Sequence, residues 1–180
     1  PEPGLAGYLR SHAKRGWTIG YDPRLFSPDA LEKLRAAAKD VGAQLAPVGE
    51  NPIDKAWGAK RPPIPAAPVR PHADEFSGEA ASAKRRRIGQ VIAEGGADTV
   101  VLTSPASLAW LFNIRGGDVK ATPLPLGTAI LNADGSAELF LAKEKTDAKL
   151  VTWLGNEVSL KTPDELGEAL KGLQGKAVSL

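Results

Sequence analysis

The chain has 180 residues, 42% hydrophobic and 24% charged, enough for one ordinary domain or two small ones and too close to average globular usage for a disordered, collagen-like or coiled-coil polypeptide. Its net charge of +2, from 23 Lys and Arg against 21 Asp and Glu, is too balanced to steer the whole chain onto nucleic acid or an anionic membrane. The absence of cysteine excludes disulfide frameworks, thiolate metal sites and cysteine nucleophiles.

In chain order, Leu5, Tyr8, Leu9 and His12 recur at helical spacing, and Gly16 is placed to end that helix. Residues 17–21 form a short β-rich run that stops at the turn pair Asp22-Pro23. Ser27 as N-cap and Pro28 at the first helical position open a helix with Leu31, Leu34, Ala38 and Val41 on its apolar face, closed by Gly42. Residues 43–48 read as a second strand. Two strands joined by a helix predict a parallel crossover that needs further strands for stability, so this part looks incomplete.

Five prolines lie between Lys60 and Pro71. They impose extended backbone and remove amide donors, so neither a helix nor a central strand is expected there. Residues 72–82 continue as a polar approach to a helix over 83–93, with Ile88, Val91 and Ile92 inward and Gly95-Gly96 at its end. A buried strand is expected over 99–103 and a short helix from Ser104-Pro105 carrying Leu108, Trp110 and Leu111. Residues 124–131 and 137–142 flank Asp134-Gly135, a hairpin signal. A helix over 146–154, a strand over 158–161, a helix over 165–173 capped by Thr162-Pro163-Asp164 and a last strand over 177–180 complete an α/β pattern with parallel and antiparallel parts.

The chemistry-bearing motifs are sparse. His12 and His72 have no partner at metal-ligand spacing, and no GxSxG, GxGxxG or P-loop pattern occurs, so Thr103, Ser104 and Ser107 do not argue for a serine hydrolase. Asp118, Asp134 and Asp147 are scattered at turns and caps. The run Lys84-Arg85-Arg86-Arg87 reads as the solvated face of an amphipathic helix rather than a nucleic-acid patch, because no aromatic residues interleave with it. Gly116-Gly117 reads as a tight turn using positive φ. In the segment 108–118, Trp110, Leu111, Phe112 and Ile114 can be core. Asn113 and Arg115 interrupt that apolar run; either Arg115 pairs with Asp118 while Asn113 caps a helix, or Arg115 is presented to a neighbouring cleft to hold a carboxylate or carbonyl. No stretch approaches the ~18–20 apolar residues of a membrane span, no signal pattern opens the chain, and the expected location is cytoplasmic. Zero methionines and a leading proline fit a piece of a longer protein.

The segment 107–131, with Ala-Trp-Leu-Phe-Asn-Ile-Arg-Gly-Gly-Asp-Val at 109–119 before a proline-broken run and an aliphatic strand, resembles the aminopeptidase P (Xaa-Pro aminopeptidase) family. Gly20-Tyr-Asp-Pro23, residues 47–57 from Pro47-Val through Asn51 to Ala-Trp57, and Arg61-Pro62-Pro63 match the same family in order and spacing. The resemblance implies an α/β fold with a mixed sheet flanked by helices, of the creatinase/prolidase N-terminal-domain type. It implies residues 1–58 as the C-terminal part of a first such domain, 59–82 as a proline-rich linker and 83–180 as a second domain. The implied activity is release of an N-terminal residue that precedes proline. In the family it belongs to a C-terminal pita-bread domain holding two divalent metal ions, usually manganese, of which nothing in this chain is reminiscent. No catalytic or metal-binding residue is therefore expected here; the segment would wall the entrance, with Asn113, Arg115 and Asp118 facing the catalytic domain. The implied partners are that domain, a peptide with proline second and a second copy as a homodimer, with neither nucleic acid nor membrane. The rival readings are a free-standing α/β binding module, a creatinase or prolidase relative with another substrate and, last, a nucleic-acid-binding protein.

Overall fold

The crossover expected at the start of the chain is present in the computed structural model, which describes residues 4–179. Helix α1 (Gly4–His12), strand β1 (Thr18–Tyr21), helix α2 (Pro28–Asp40), strand β2 (Gln44–Pro47) and helix α3 (Pro52–Trp57) belong to a first unit, Pro1–Pro63. β1 and β2 pair in parallel from Thr18↔Gln44 to Tyr21↔Pro47. α2 starts where the Ser27 hydroxyl accepts the Ala30 N–H at 3.3 Å, with Pro28 in the first turn, and it buries Leu34, Ala37 and Ala38.

The end of β1 is tied to the start of α3 by one carboxylate. Asp22 accepts from the backbone and guanidinium of Arg24 and from Asn51 Nδ2 at 3.1 Å. The hydrogen bonds from the Arg24 side chain, then its backbone amide, hold the Asp22 carboxyl well below the usual carboxylate range. The sequence reading misses α3, although its signal is present: Asn51 caps it through Ile53 N–H and Pro52 fills its first position.

The second unit, Ile64–Leu180, carries a five-stranded mixed sheet. Its elements are β3 (Arg70–Pro71), α4 (Asp74–Ser77), α5 (Ala81–Glu94), β4 (Thr99–Leu102), α6 (Pro105–Leu111), β5 (Ile114–Arg115), β6 (Thr128–Asn132), β7 (Ala137–Phe140), α7 (Ala148–Leu154), β8 (Val158–Lys161), α8 (Leu166–Lys171) and β9 (Val178–Ser179). The sheet order is β8-β7-β6-β4-β9. β6 runs antiparallel to β4 and β7, while β7–β8 and β4–β9 are parallel. β3 and β5 form a separate antiparallel pair. Leu108, Leu111, Phe112 and Ile114 from the α6–β5 segment pack with Leu131, Leu139, Leu141 and Leu150 in the main core.

The hairpin between β6 and β7 turns at Asp134-Gly135 as its sequence predicts, with Gly135 at φ 87° and Asp134 accepting from Ser136. Residues 62–69 have no regular secondary structure, consistent with their prolines. Their last part is nevertheless built into the second unit: Val69 is buried, its N–H donates to the Lys145 carbonyl at 2.8 Å, and the Ala67 N–H donates to Asp118 at 3.1 Å. The sequence reading placed all of 59–82 in a linker, because proline density says nothing about which remaining amides find partners.

On α5 the inward stripe is Arg85, Ile88, Gly89 and Ile92, the i, i+3, i+4, i+7 set, and Val91 lies outside it, exposed. Gly89 is required by close approach: a Cβ there would stand 2.5 Å from the Ala133 carbonyl oxygen. Gly116 and Gly117 do not use the positive φ that their sequence suggests. A Cβ on Gly116 would meet Pro125 Cα at 2.6 Å, so its role is to let the loop fold back on itself.

Candidate functional site

The corner between α6 and β5 gathers most of the polar side chains of interest. Ser104 launches α6, its hydroxyl accepting the Ser107 N–H at 3.5 Å, which commits Ser104 to a capping role. The helix ends at Leu111 with Phe112 as its C-cap, and Asn113 follows in left-handed backbone at φ 49°. Asparagine tolerates that conformation better than most residues, and it reverses the chain into β5.

The Asn113 side chain, on a residue only 1% exposed, is fully used. Its Oδ1 accepts from Lys84 Nζ at 2.6 Å, and its Nδ2 donates to Asp74 Oδ1 at 3.0 Å and to the Glu79 carbonyl at 2.8 Å. Its backbone carbonyl accepts the His72 N–H at 2.8 Å. One residue thus joins α4, α5 and the segment that leaves β3. Lys84, 2% exposed, also donates to the Trp110 carbonyl at 3.2 Å, and its ammonium lies 4.8 Å from the Trp110 ring centroid.

Half of the basic run therefore departs from the solvated face its sequence suggests. Lys84 and Arg85 are inside, Arg85 donating to the Gly135 carbonyl and to Glu157. Such burial is tolerated because these long side chains reach acceptors supplied by the hairpin and the α6 terminus. Arg86 and Arg87 stay at the surface, paired with Glu157 and Glu79. The hydrogen bonds from Arg87 hold the Glu79 carboxyl below its ordinary value.

Arg115 sits beside this cluster, partly buried, with Nη1 donating to the Ala109 and Ile114 carbonyls at 3.2 and 2.9 Å. A cleft of about 350 Å³ opens there, lined by Lys84, Asn113, Arg115, Trp110, Phe76 and Leu124 among others. Trp110, which the sequence allows as core, is 44% exposed, because it points away from the stripe that buries Leu108 and Leu111. It also walls an apolar groove of about 440 Å³ with Ile88, Leu102 and Leu111.

Asp118 does not line the cleft and does not pair with Arg115. It accepts from Lys145 Nζ and the Leu126 N–H, both at 2.7 Å, and from the Ala67 N–H, with its side chain 0% exposed. Burial alone would raise its pKa, but Lys145 and the two backbone donors outweigh that and hold it below the ordinary value. Structure thus brings Asn113 and Arg115 together at one surface and sets Asp118 apart as the anchor of the 116–127 loop. Lys84 and Lys145 are the functional-looking residues that sequence reasoning missed; a lysine in a predicted solvated run or loop gives no signal of burial.

The donor chemistry does not suit a metal pair. Among the described residues no group of three or more His, Cys, Asp or Glu side chains is gathered where an ion could be held, and the buried carboxylate Asp118 is neutralised by Lys145. No helix among the described residues is long and apolar enough to cross a membrane.

Comparison with known proteins places this geometry in a family. The Creatinase/Prolidase N-terminal domain family matches residues 60–180. A protein of Ajellomyces capsulatus named "Probable Xaa-Pro aminopeptidase P" is 32% identical over 166 residues, covering 92% of this chain and 26% of that protein. One of the same name from Chaetomium globosum is 35% identical over 164 residues, covering 90% of this chain and 26% of its own length. The chain spans about a quarter of the length of these curated relatives. The crystal structure of an X-prolyl aminopeptidase from Caenorhabditis elegans, described as a cytosolic enzyme with a di-nuclear active site, superposes with a TM-score of 0.80 at 27% identity, over 94% of this chain and 28% of that one. The chain belongs to the creatinase/prolidase N-terminal domain family.

Proposed function

We propose that this chain is a non-catalytic region of a metal-dependent Xaa-Pro aminopeptidase, shaping peptide access to a catalytic domain that follows the creatinase/prolidase N-terminal fold. The observation that carries the reading is the α6–β5 corner. Asn113 holds it rigid from inside, while Arg115 and Trp110 are displayed at its surface, and among the described residues no group of His, Cys, Asp or Glu side chains is gathered to hold a metal ion. Arg115 Nε and Nη2 have no protein acceptor among the described residues, so they are free to donate to a peptide carbonyl or carboxylate. Asp118 contributes indirectly, by fixing the loop that packs behind Arg115.

On this reading the substrate is a short peptide with proline in second position and the working assembly is a cytoplasmic enzyme, with a second copy as a further partner. Two divalent ions, taken to be manganese, would supply the activated water in the catalytic domain; the residues of this chain do not fit them and take no part in that step. The chain alone, incubated with manganese and an Xaa-Pro tripeptide, is expected to release no amino acid; release at a rate above the buffer control would overturn the proposal.

A further inference from the structure

The cleft beside Arg115 is incomplete in charge. Lys84 Nζ is buried and has two acceptors, the Trp110 carbonyl and Asn113 Oδ1, both neutral; no carboxylate oxygen lies within ion-pair distance of it among the described residues. An ammonium carries three donors; these acceptors use two, and the remaining neighbour of the nitrogen is the Trp110 ring, 4.8 Å to its centroid. The nearby carboxylates are already engaged: Asp74 accepts from Asn113 Nδ2, and both Glu79 oxygens accept from Arg87. Of the cations around the cleft, Arg87 is paired with Glu79, whereas Lys84 and Arg115 have no carboxylate partner among the described residues. A buried cation without a partner anion is costly, and a desolvated carboxylate entering the cleft would relieve it. Arg115 can meet such a group with its free Nε and Nη2, a fork suited to the two oxygens of a carboxylate.

The walls say what carries the carboxylate. Trp110, its ring centroid 4.8 Å from the ammonium of Lys84 and 5.7 Å from the guanidinium of Arg87, stands at one side, and Phe76, 72% exposed, Pro123 and Leu124 complete an apolar rim. A free inorganic anion would leave that rim in water, whereas a polypeptide segment with apolar residues on either side of an acidic one would cover it.

We propose that this cleft binds an acidic side chain, Asp or Glu, flanked by apolar residues in a partner polypeptide, with Lys84 and Arg115 receiving the carboxylate. The partner's identity as the catalytic domain rests on the function proposed above; the carboxylate site itself does not.

The test is an NMR titration of the 180-residue chain, following the Trp110 indole N–H, with acetyl-Leu-Glu-Leu-amide, its Gln counterpart, acetyl-Leu-Leu with a free C-terminus, and sodium acetate. The Glu peptide is expected to shift the Trp110 resonance saturably at millimolar concentration, with the Gln peptide and acetate at least about tenfold weaker. Arg115→Gln should weaken the Glu peptide by a similar factor while leaving the other indole signals in place. Equal shifts from the Glu and Gln peptides would mean an apolar groove only and would overturn the proposal. So would no shift from the Glu peptide, or stronger binding of the free C-terminus or of acetate. If Arg115→Gln disturbs the fold, Lys84→Met in the same titration must abolish the preference for Glu over Gln; retention of that preference overturns it. Failure here with no peptide release by the chain alone removes this site and leaves the proposed function standing.

Discussion

Lys145 Nζ lies 2.7 Å from Asp118 Oδ2, with both side chains closed off from solvent, and the same ammonium donates to the Leu126 carbonyl at 2.9 Å. This pair pins the 116–127 loop to the turn before α7, and through Ala67 it also holds the end of the proline-rich stretch. Removing one partner leaves the other charge buried and uncompensated, which costs about 3–5 kcal/mol. Lys145→Met should therefore destabilise by that order in urea unfolding. Adding Asp118→Asn should return part of the loss, because no naked charge remains; strictly additive losses would contradict the coupling.

Acid should act on the same pair. The folded pKa of Asp118 is lowered, so its contribution to stability is present above the ordinary aspartate range and is lost as pH falls through that range toward the folded value. The midpoint of urea unfolding is expected to drop on acidification below the ordinary aspartate pKa, and the drop should be smaller in Asp118→Asn. The same pH slope in both proteins would contradict this assignment.

Asn113 combines a backbone role with a side-chain role, and two substitutions separate them. Asn113→Gly keeps the left-handed backbone but leaves Lys84 Nζ without its 2.6 Å acceptor, a loss of about 1–3 kcal/mol. Asn113→Ala loses the same bonds and adds the cost of φ 49° for a residue with a Cβ, about 1–2 kcal/mol more. Thermal unfolding should rank wild type above Gly above Ala; Ala equal to Gly would show that the corner relaxes.

Gly89 offers a packing test remote from the cleft. A Cβ there would stand 2.5 Å from a backbone oxygen, which cannot rotate away as a side chain could. Gly89→Ala should lose about 1–3 kcal/mol despite alanine's better helix propensity. A gain in stability would mean that the β6–β7 turn yields freely.

The elements that depend on local chemistry were legible in the sequence. Ser27-Pro28, Ser104-Pro105 and Asp134-Gly135 act through neighbours within a few residues, and the helices and hairpin they mark are where they were expected. What was not legible depended on distant partners. Lys84 and Arg85 look like any basic helix turn until the Asn113 side chain and the Gly135 carbonyl are placed beside them, 29 and 50 residues away. Arg115 and Asp118, close enough in sequence to suggest a pair, are directed apart, one to the α6 carbonyls and one to Lys145. Trp110, which composition allows as core, is exposed; composition cannot tell which side of a seven-residue helix faces the sheet.

The central claim is that the α6–β5 corner serves a catalytic domain without supplying a reacting group. Its most direct test is Arg115→Ala in the Xaa-Pro aminopeptidase proposed above, assayed with an Xaa-Pro peptide alongside a thermal melt. The expected result is a fall in kcat/KM of about tenfold, the scale of one lost charge-assisted hydrogen bond, beside a modest drop in melting temperature from the lost Nη1 bonds to the Ala109 and Ile114 carbonyls. An unchanged kcat/KM together with an unchanged melting temperature would contradict it.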